Sequence, residues 1–165
     1  MNNLEIRDID IEDAGTILEV YIQCEDFLSL GPEPKATRDM VVEDIKTAER
    51  EGGIFRGIYL DGKLIGVVSY ISAGFEGNDE AAFISLLMIA APFRRKGRGT
   101  NIVQSIEKQI LTDTGISTVF SAVQVKNIDA QRFWKRNGYH IIGGPESRPD
   151  GTVVFRLSKG CRKKE

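Results

Sequence analysis

Ala81-Ala82-Phe83-Ile84-Ser85-Leu86-Leu87-Met88-Ile89-Ala90 is a near-continuous apolar run, and Ala91-Pro92 joins it to Phe93-Arg94-Arg95-Lys96-Gly97-Arg98-Gly99-Thr100. A run of this kind suits a strand covered on both faces, which places it at the centre of a sheet. Ile102, Val103, Ile106 and Ile110 then recur at helical spacing, closing around Thr114-Gly115. A buried strand therefore delivers a basic, glycine-containing turn directly to a helix N-terminus. Unpaired backbone N–H groups and the positive end of the helix dipole meet there. Gly97 and Gly99 keep side chains away from those groups, while Arg94, Arg95, Lys96 and Arg98 concentrate positive charge. The arrangement reads as a diphosphate cradle.

Upstream, Leu4 and Ile6 alternate with Glu5 and Arg7 as in a strand with one wet face. Asp10 offers an N-cap for a helix carrying Ala14, Ile17, Leu18, Tyr21 and Ile22 and ending near Asp26. Gly31-Pro32-Glu33-Pro34 cannot continue it. A second helix, short and mostly exposed, is expected from Thr37 through Met40, Val41, Ile45 and Ala48, with Gly52-Gly53 as its stop. Ile54–Leu60 and Leu64–Ile71 flank Asp61-Gly62, a hairpin signature. Downstream, Thr118 to Val125 reads as a strand, and Asn127 or Asp129 caps a short helix through Phe133 and Trp134 that ends at Asn137-Gly138. Tyr139 to Ile142 and Thr152 to Leu157 form a last strand pair around a loop holding Pro145 and Pro149. The order β-α-α-β-β-β-α-β-α-β-β predicts a mixed α/β sheet with helices on both faces.

The chain of 165 residues has the size of one domain, assigned to residues 1–158 with a charged, frayed tail at 159–165. Its 41% hydrophobic and 28% charged residues describe an ordinary globular chain. Lys plus Arg number 22 against 24 Asp plus Glu, so no global basic field favours a nucleic acid. Cys24 and Cys161 give neither a disulfide framework nor zinc-ligand spacing, and read as free thiols in a reducing cytoplasm. Acidic residues among the first ten and the lack of an apolar h-region argue against a signal peptide, and no apolar run is long enough to span a bilayer. A cytoplasmic protein without membrane or nucleic-acid partners is expected.

Gly97, Gly99 and Lys96 have the wrong order for a P-loop, and the third glycine of a dinucleotide fingerprint is missing. Leu87-Met88-Ile89 followed by Arg94-x-x-Gly97-x-Gly99 instead resembles the acetyl-CoA motif of the GNAT N-acetyltransferases. A second block agrees: Asn127, Ala130, Phe133-Trp134 and Asn137-Gly138-Tyr139 resemble the family's later Asn, aromatic pair and Gly-aromatic step. The resemblance implies a mostly antiparallel, twisted sheet of about seven strands, in an enzyme acting as monomer or homodimer. It implies acetyl-CoA as cosubstrate, no metal, and a small-molecule or peptide amine as acceptor. Residues Arg94 to Thr100 would wrap the pyrophosphate through main-chain N–H groups, and Leu87, Met88 and Ile89 would take the pantetheine arm as an added strand. The Ile89 N–H would polarise the thioester carbonyl, with Asn127, Ala130, Phe133 and Trp134 on the far side of the arm. Trp134 stands where many members carry a tyrosine proposed to protonate the departing thiolate, and indole cannot act as that acid.

For a general base the sequence offers Glu80, with Asp79 beside it, at the start of the apolar strand, and the sole histidine, His140. The same residues also read as solvated loop acids and an exposed ring. Asp26 and Phe27 form an acidic lip with one aromatic that suits a cationic acceptor, or a capped helix end with a hydrophobic anchor. Tyr70, Phe75 and Tyr139 line a pocket or pack; spacing does not separate the two. A non-catalytic acyl-CoA-binding module of the same fold is the alternative to an enzyme.

Overall fold

Asp61 and Gly62, with φ of 50° and 83°, turn β2 (Ile54–Leu60) back into β3 (Lys63–Ile71), the primed turn that an Asp-Gly pair favours. The computed structural model describes residues 3–113 and 115–161. Around this hairpin lie β1 (Leu4–Asp8), β4 (Ala81–Ile89), β5 (Thr118–Gln124), β6 (His140–Ser147) and β7 (Val153–Gly160). They form one seven-stranded sheet in the order β1-β2-β3-β4-β5-β7-β6, with β4 at its centre. Every pairing is antiparallel except that of β4 with β5. That parallel pair demands a crossover, which α4 (Arg98–Ile110) supplies.

Two helical layers cover the sheet. On one face α4 and α5 (Ile128–Arg136) bury Ile102, Val103, Ile106, Ile110 and Trp134 against Ile84, Val119, Val123 and Leu157. On the other, α1 (Ala14–Ile22) and α3 (Arg38–Arg50) bury Ile17, Val20, Tyr21, Val41 and Ile45 against Phe55, Val67 and Met88. The expected helices are present with different details. A 3-10 turn at Ile11–Asp13, capped by Asp10, precedes α1. That helix stops at Ile22, and α2 (Glu25–Leu28) is a separate turn. Because α1 packs against both α3 and β3, its buried arc takes in Val20 and leaves Ile22 half exposed, while Cys24, just past its end, is buried. The Thr37 cap does open α3, which runs 13 residues and is a core element rather than a short exposed one.

Three further expectations change. β4 is central, yet Ser85 is exposed and Leu86 and Leu87 only half-buried at the edges of the two cores, where pairing with β5 has ended after Ile84. Pro145 sits inside β6, whose pairing with β7 is interrupted by bulges at the sheet edge where proline is tolerated. β7 continues through Lys159 and Gly160, residues that composition alone assigns to a tail. Thr118 of β5 pairs with Gly160, and the Lys159 ammonium meets the buried Glu107 carboxylate at 3.0 Å, so both belong to the folded sheet. The helix stop expected at Thr114 and the rest of the tail, 162–165, lie outside the described residues.

Candidate active site

The basic turn folds as the motif demands. Ala91–Phe93 makes one 3-10 turn, and the Arg94 N–H bonds the Ala91 carbonyl. Arg95 and Gly97 then take positive φ, 66° and 74°, curling successive N–H groups toward one side. Gly97 is the N-cap of α4 and its carbonyl accepts from the Asn101 N–H. Among the described residues, the N–H groups of residues 95 to 100 have no protein acceptor. Lys96 and Arg95 are exposed beside them. The donors, the curvature and the charge fit a diphosphate.

The glycines have separate reasons. Gly97 needs its left-handed backbone, and a Cβ there would meet nothing. A Cβ on Gly99 would stand 2.8 Å from the Phe133 ring, so Gly99 admits the aromatic that ties α5 to the start of α4. Arg98 and Thr100 are also engaged by protein: the Arg98 guanidinium donates to the Phe93 carbonyl, and the Thr100 hydroxyl accepts from the Asn137 amide. Arg94 turns away from the cradle. Its Nε donates to the Ile89 carbonyl at 2.6 Å, and its two terminal nitrogens hold the Asp26 carboxylate at 2.6 and 3.1 Å.

A fork in the sheet leads away from the turn. β4 and β5 pair only from Ala81↔Thr118 to Ile84↔Ser121, and the Ser121 hydroxyl closes the crotch by donating to the Ile84 carbonyl. Beyond it the strands part. The Ala90 N–H bonds the Ile65 carbonyl, so by strand alternation Met88 also faces β3, while Leu87 and Ile89 present their N–H groups to the gap. Met88 itself is buried in the α1–α3 core. Across the fork stand Ala130 and Trp134 of α5, and with Leu86, Leu87, Val123 and Gln124 they line a groove of about 500 Å³. Asn127 caps α5 through the Ala130 N–H, setting that wall.

Other residues singled out from the sequence fall elsewhere. Glu80 precedes β4 and Ile89 ends it, which separates them by about 30 Å of strand. His140 pairs with Ser158, Ser158 with Phe120 and Phe120 with Phe83. The histidine is thus about 14 Å across the sheet from β4 at the level of Phe83, and exposed on the edge strand. Neither lies near Ile89, because β4 is long and β6 is the outermost strand, three places from it in the sheet. Tyr70 is fully buried on the α4 face and donates to Gln109, so it packs and lines no pocket for acceptor. Phe75 stacks on Phe83 at 4.3 Å. Asp26 is held by Arg94, whose hydrogen bonds keep its carboxyl below the usual range. Only Phe27 of the expected lip lines the groove. Trp134 is buried edge-on to both Phe133 and Tyr139. The Tyr139 hydroxyl donates to Glu107, and burial and that carboxylate hold its pKa far above neutrality.

Sequence reasoning missed Asp44. It lies on α3 in the groove wall, and its Oδ2 accepts from the buried Tyr21 hydroxyl at 2.7 Å. Burial pushes the carboxyl up to about 6, against the pull of the Tyr21 hydrogen bond and with the push of Glu43, Asp150 and Glu33. Gln124 Oε1 and Arg148 Nε in the same groove are buried without a protein partner among the described residues. The one sequence signal was Asp44 beside Ile45 on the helix flank, indistinguishable there from a solvated acid. No group of His, Cys, Asp and Glu suited to a metal ion occurs among the described residues.

The fork and the basic turn place an open strand edge and a set of free N–H donors on one seven-stranded sheet. The model of the acetyltransferase (GNAT) family matches residues 17–139, and the chain belongs to that family. It is an acetyltransferase with acetyl-CoA as cosubstrate. Solved structures share the fold: an acetyltransferase from Thermus thermophilus superposes with a TM-score of 0.78 at 19% identity, covering 96% of this chain and 97% of that one. AAC(6')-Ib in complex with ribostamycin and coenzyme A gives 0.75 at 19% identity, over 96% and 93%. The Salmonella typhimurium acetyltransferase that modifies the N-terminal serine of ribosomal protein L7/L12 gives 0.76 at 14% identity, over 96% and 95%. A comparison with curated protein sequences finds no match.

Proposed function

We propose that this protein transfers the acetyl group of acetyl-CoA to a primary amine by direct attack within a ternary complex. One observation carries the reading: the β4 edge at Leu87 and Ile89 that β5 leaves unpaired, with Leu87 in the groove wall, is followed a few residues on by N–H groups at 95 to 100 that have no protein acceptor among the described residues. Residues 95 to 100 hold the pyrophosphate, chiefly by backbone, with Arg95 and Lys96 adding charge. Leu87 and Ile89 bond the pantetheine arm as an added strand. The Ile89 N–H polarises the thioester carbonyl, and Ala130, Phe133 and Trp134 wall the arm on the α5 side. Arg94 is a brace here rather than a phosphate ligand, since its nitrogens already serve Asp26 and Ile89.

The reaction needs a neutral amine and a tolerable leaving group. A thiol of pKa about 8.5 departs as thiolate without full protonation, so the engagement of Tyr139 with Glu107 and the indole at 134 slow the step without blocking it. Those same two residues favour the rival reading, a module that binds acyl-CoA without turnover. Thiol release from acetyl-CoA across a panel of primary amines separates the readings: amine-dependent release supports the enzyme, and tight CoA binding with no release on any amine supports the module. Gly97→Glu places a carboxylate among the phosphate donors and should abolish CoA binding by calorimetry; unchanged affinity overturns the cradle.

A further inference from the structure

Asp44 is the unexplained feature of the groove. A carboxylate taken largely out of water without a cation is costly, and among the described residues no Lys or Arg pairs with it. The groups that bear on it most are neutral or acidic: Tyr21 on α1, Glu43 on its own helix, Glu33 in the loop after α2, and Asp150 in the loop between β6 and β7. Among the groove's described lining residues the one cation, Arg148, leaves its Nε without a partner. Tyr21 is fully buried and fixes one carboxylate oxygen, which orients the other. The groove that Asp44 lines also contains Leu87 and Met88 of the fork.

We propose that the Tyr21–Asp44 pair receives the acceptor as its ammonium ion and takes its proton, making Asp44 the general base of the reaction and selecting cationic amines over neutral nucleophiles. This rests on the reading of the groove as the acetyl-transfer site. The ammonium gives one proton to Asp44. The freed lone pair attacks the thioester carbonyl, the C–N bond forming as the C–S bond breaks. The second amine proton leaves with the thiolate to give CoA thiol, and Asp44 returns its proton to water. The product is the amide with one N–H, so atoms and charge balance. Tyr21 is a positioning residue whose hydrogen bond favours the charged carboxylate.

The experiment uses the full chain saturated with CoA or acetyl-CoA. Binding of n-butylamine, spermidine and a short peptide with a free N-terminus is measured by calorimetry beside 1-butanol, and kcat/KM is followed from pH 5 to 9. Wild type should bind at least one amine at least tenfold tighter than the alcohol, and Asp44→Asn should lose that preference while keeping CoA affinity. Where thiol is released, Asp44→Asn should lower kcat/KM by about 100-fold and remove the acidic limb near pH 6, and Tyr21→Phe should move that limb upward. Wild-type amine selectivity that survives Asp44→Asn, or an acidic limb that survives it, overturns the proposal, as does wild type binding no amine. Amine selectivity that depends on Asp44 without thiol release keeps the ammonium site and rejects transfer, so the two readings fail separately.

Discussion

Gly97 and Gly99 sit two residues apart in one motif, and for different causes. Gly97 holds φ at +74° with open space around it, whereas Gly99 stands under the Phe133 ring. Alanine at 97 therefore meets a backbone cost of about 1 kcal/mol. Alanine at 99 meets a side chain, and forcing the ring aside should cost about 1–3 kcal/mol. The distinguishing test is a double-mutant cycle: Gly99→Ala should be strongly non-additive with Phe133→Leu in urea unfolding, and Gly97→Ala additive with it. Additivity at both positions would mean that the ring is not what excludes a side chain at 99. The sequence made the pair legible as a motif, since glycines after a buried strand and before a helix stand out. It could not show that one of them answers a ring 34 residues downstream, because that contact exists only after α5 docks.

At the scale of elements, the hairpin, the central strand and α4 are readable because each has local punctuation: Asp61-Gly62, the apolar run, and the Gly97 cap. The wall formed by α1, α2 and α3 is not. Its buried faces answer to one another as much as to the sheet, so periodicity misplaces the arc of α1, and Asp44 hides on a flank that looks solvated. Asp26 shows the same difficulty, reading as a lip for substrate while its partner, Arg94, lies 68 positions away. Arg94 joins α2 to the end of β4 by holding Asp26 with one set of nitrogens and the Ile89 carbonyl with another. The hydrogen bonds from Arg94 lower the Asp26 pKa in the folded chain. Folding therefore gains from the ionised form above the unfolded value of about 3.9, and the gain is lost as pH falls through the folded value. Asp26→Asn should be less stable than wild type at pH 7, with the difference closing below pH 4. Much of the pair is exposed, so the loss at pH 7 should be small, about 1 kcal/mol or less. The check is thermal unfolding of both proteins from pH 3 to 7, together with faster amide exchange over residues 24–31 in the variant.

For the whole molecule, the decisive fact is how little joins its two halves at the site. β1 to β4 with α1 and α3 make one half, β5 to β7 with α5 the other, and within the sheet only Ala81–Ile84 against Thr118–Ser121 connects them. The same closed end is braced on the α4 side by Tyr139 and Lys159 converging on the buried Glu107, Lys159 being level with Val119 and Ala82 in the sheet. The fork can stay open because α4 crosses from one half to the other and packs beneath both. A ligand that bonds the free edge of β4 and touches α5 bridges the gap, and so must stabilise the assembly as a unit. At a CoA concentration 100 times Kd the gain is about 2.7 kcal/mol. That corresponds to a rise in Tm of several degrees for a chain of this length. Hydrogen exchange should slow at Leu87 and Ile89 and at residues 95 to 100, whose N–H groups lack acceptors, and not at Met88, which is already bonded toward β3. Gly97→Glu should abolish both the Tm rise and the protection. Protection confined to residues 95–100 would show that the diphosphate is held while the arm does not enter the fork, and the added-strand arrangement would have to be given up.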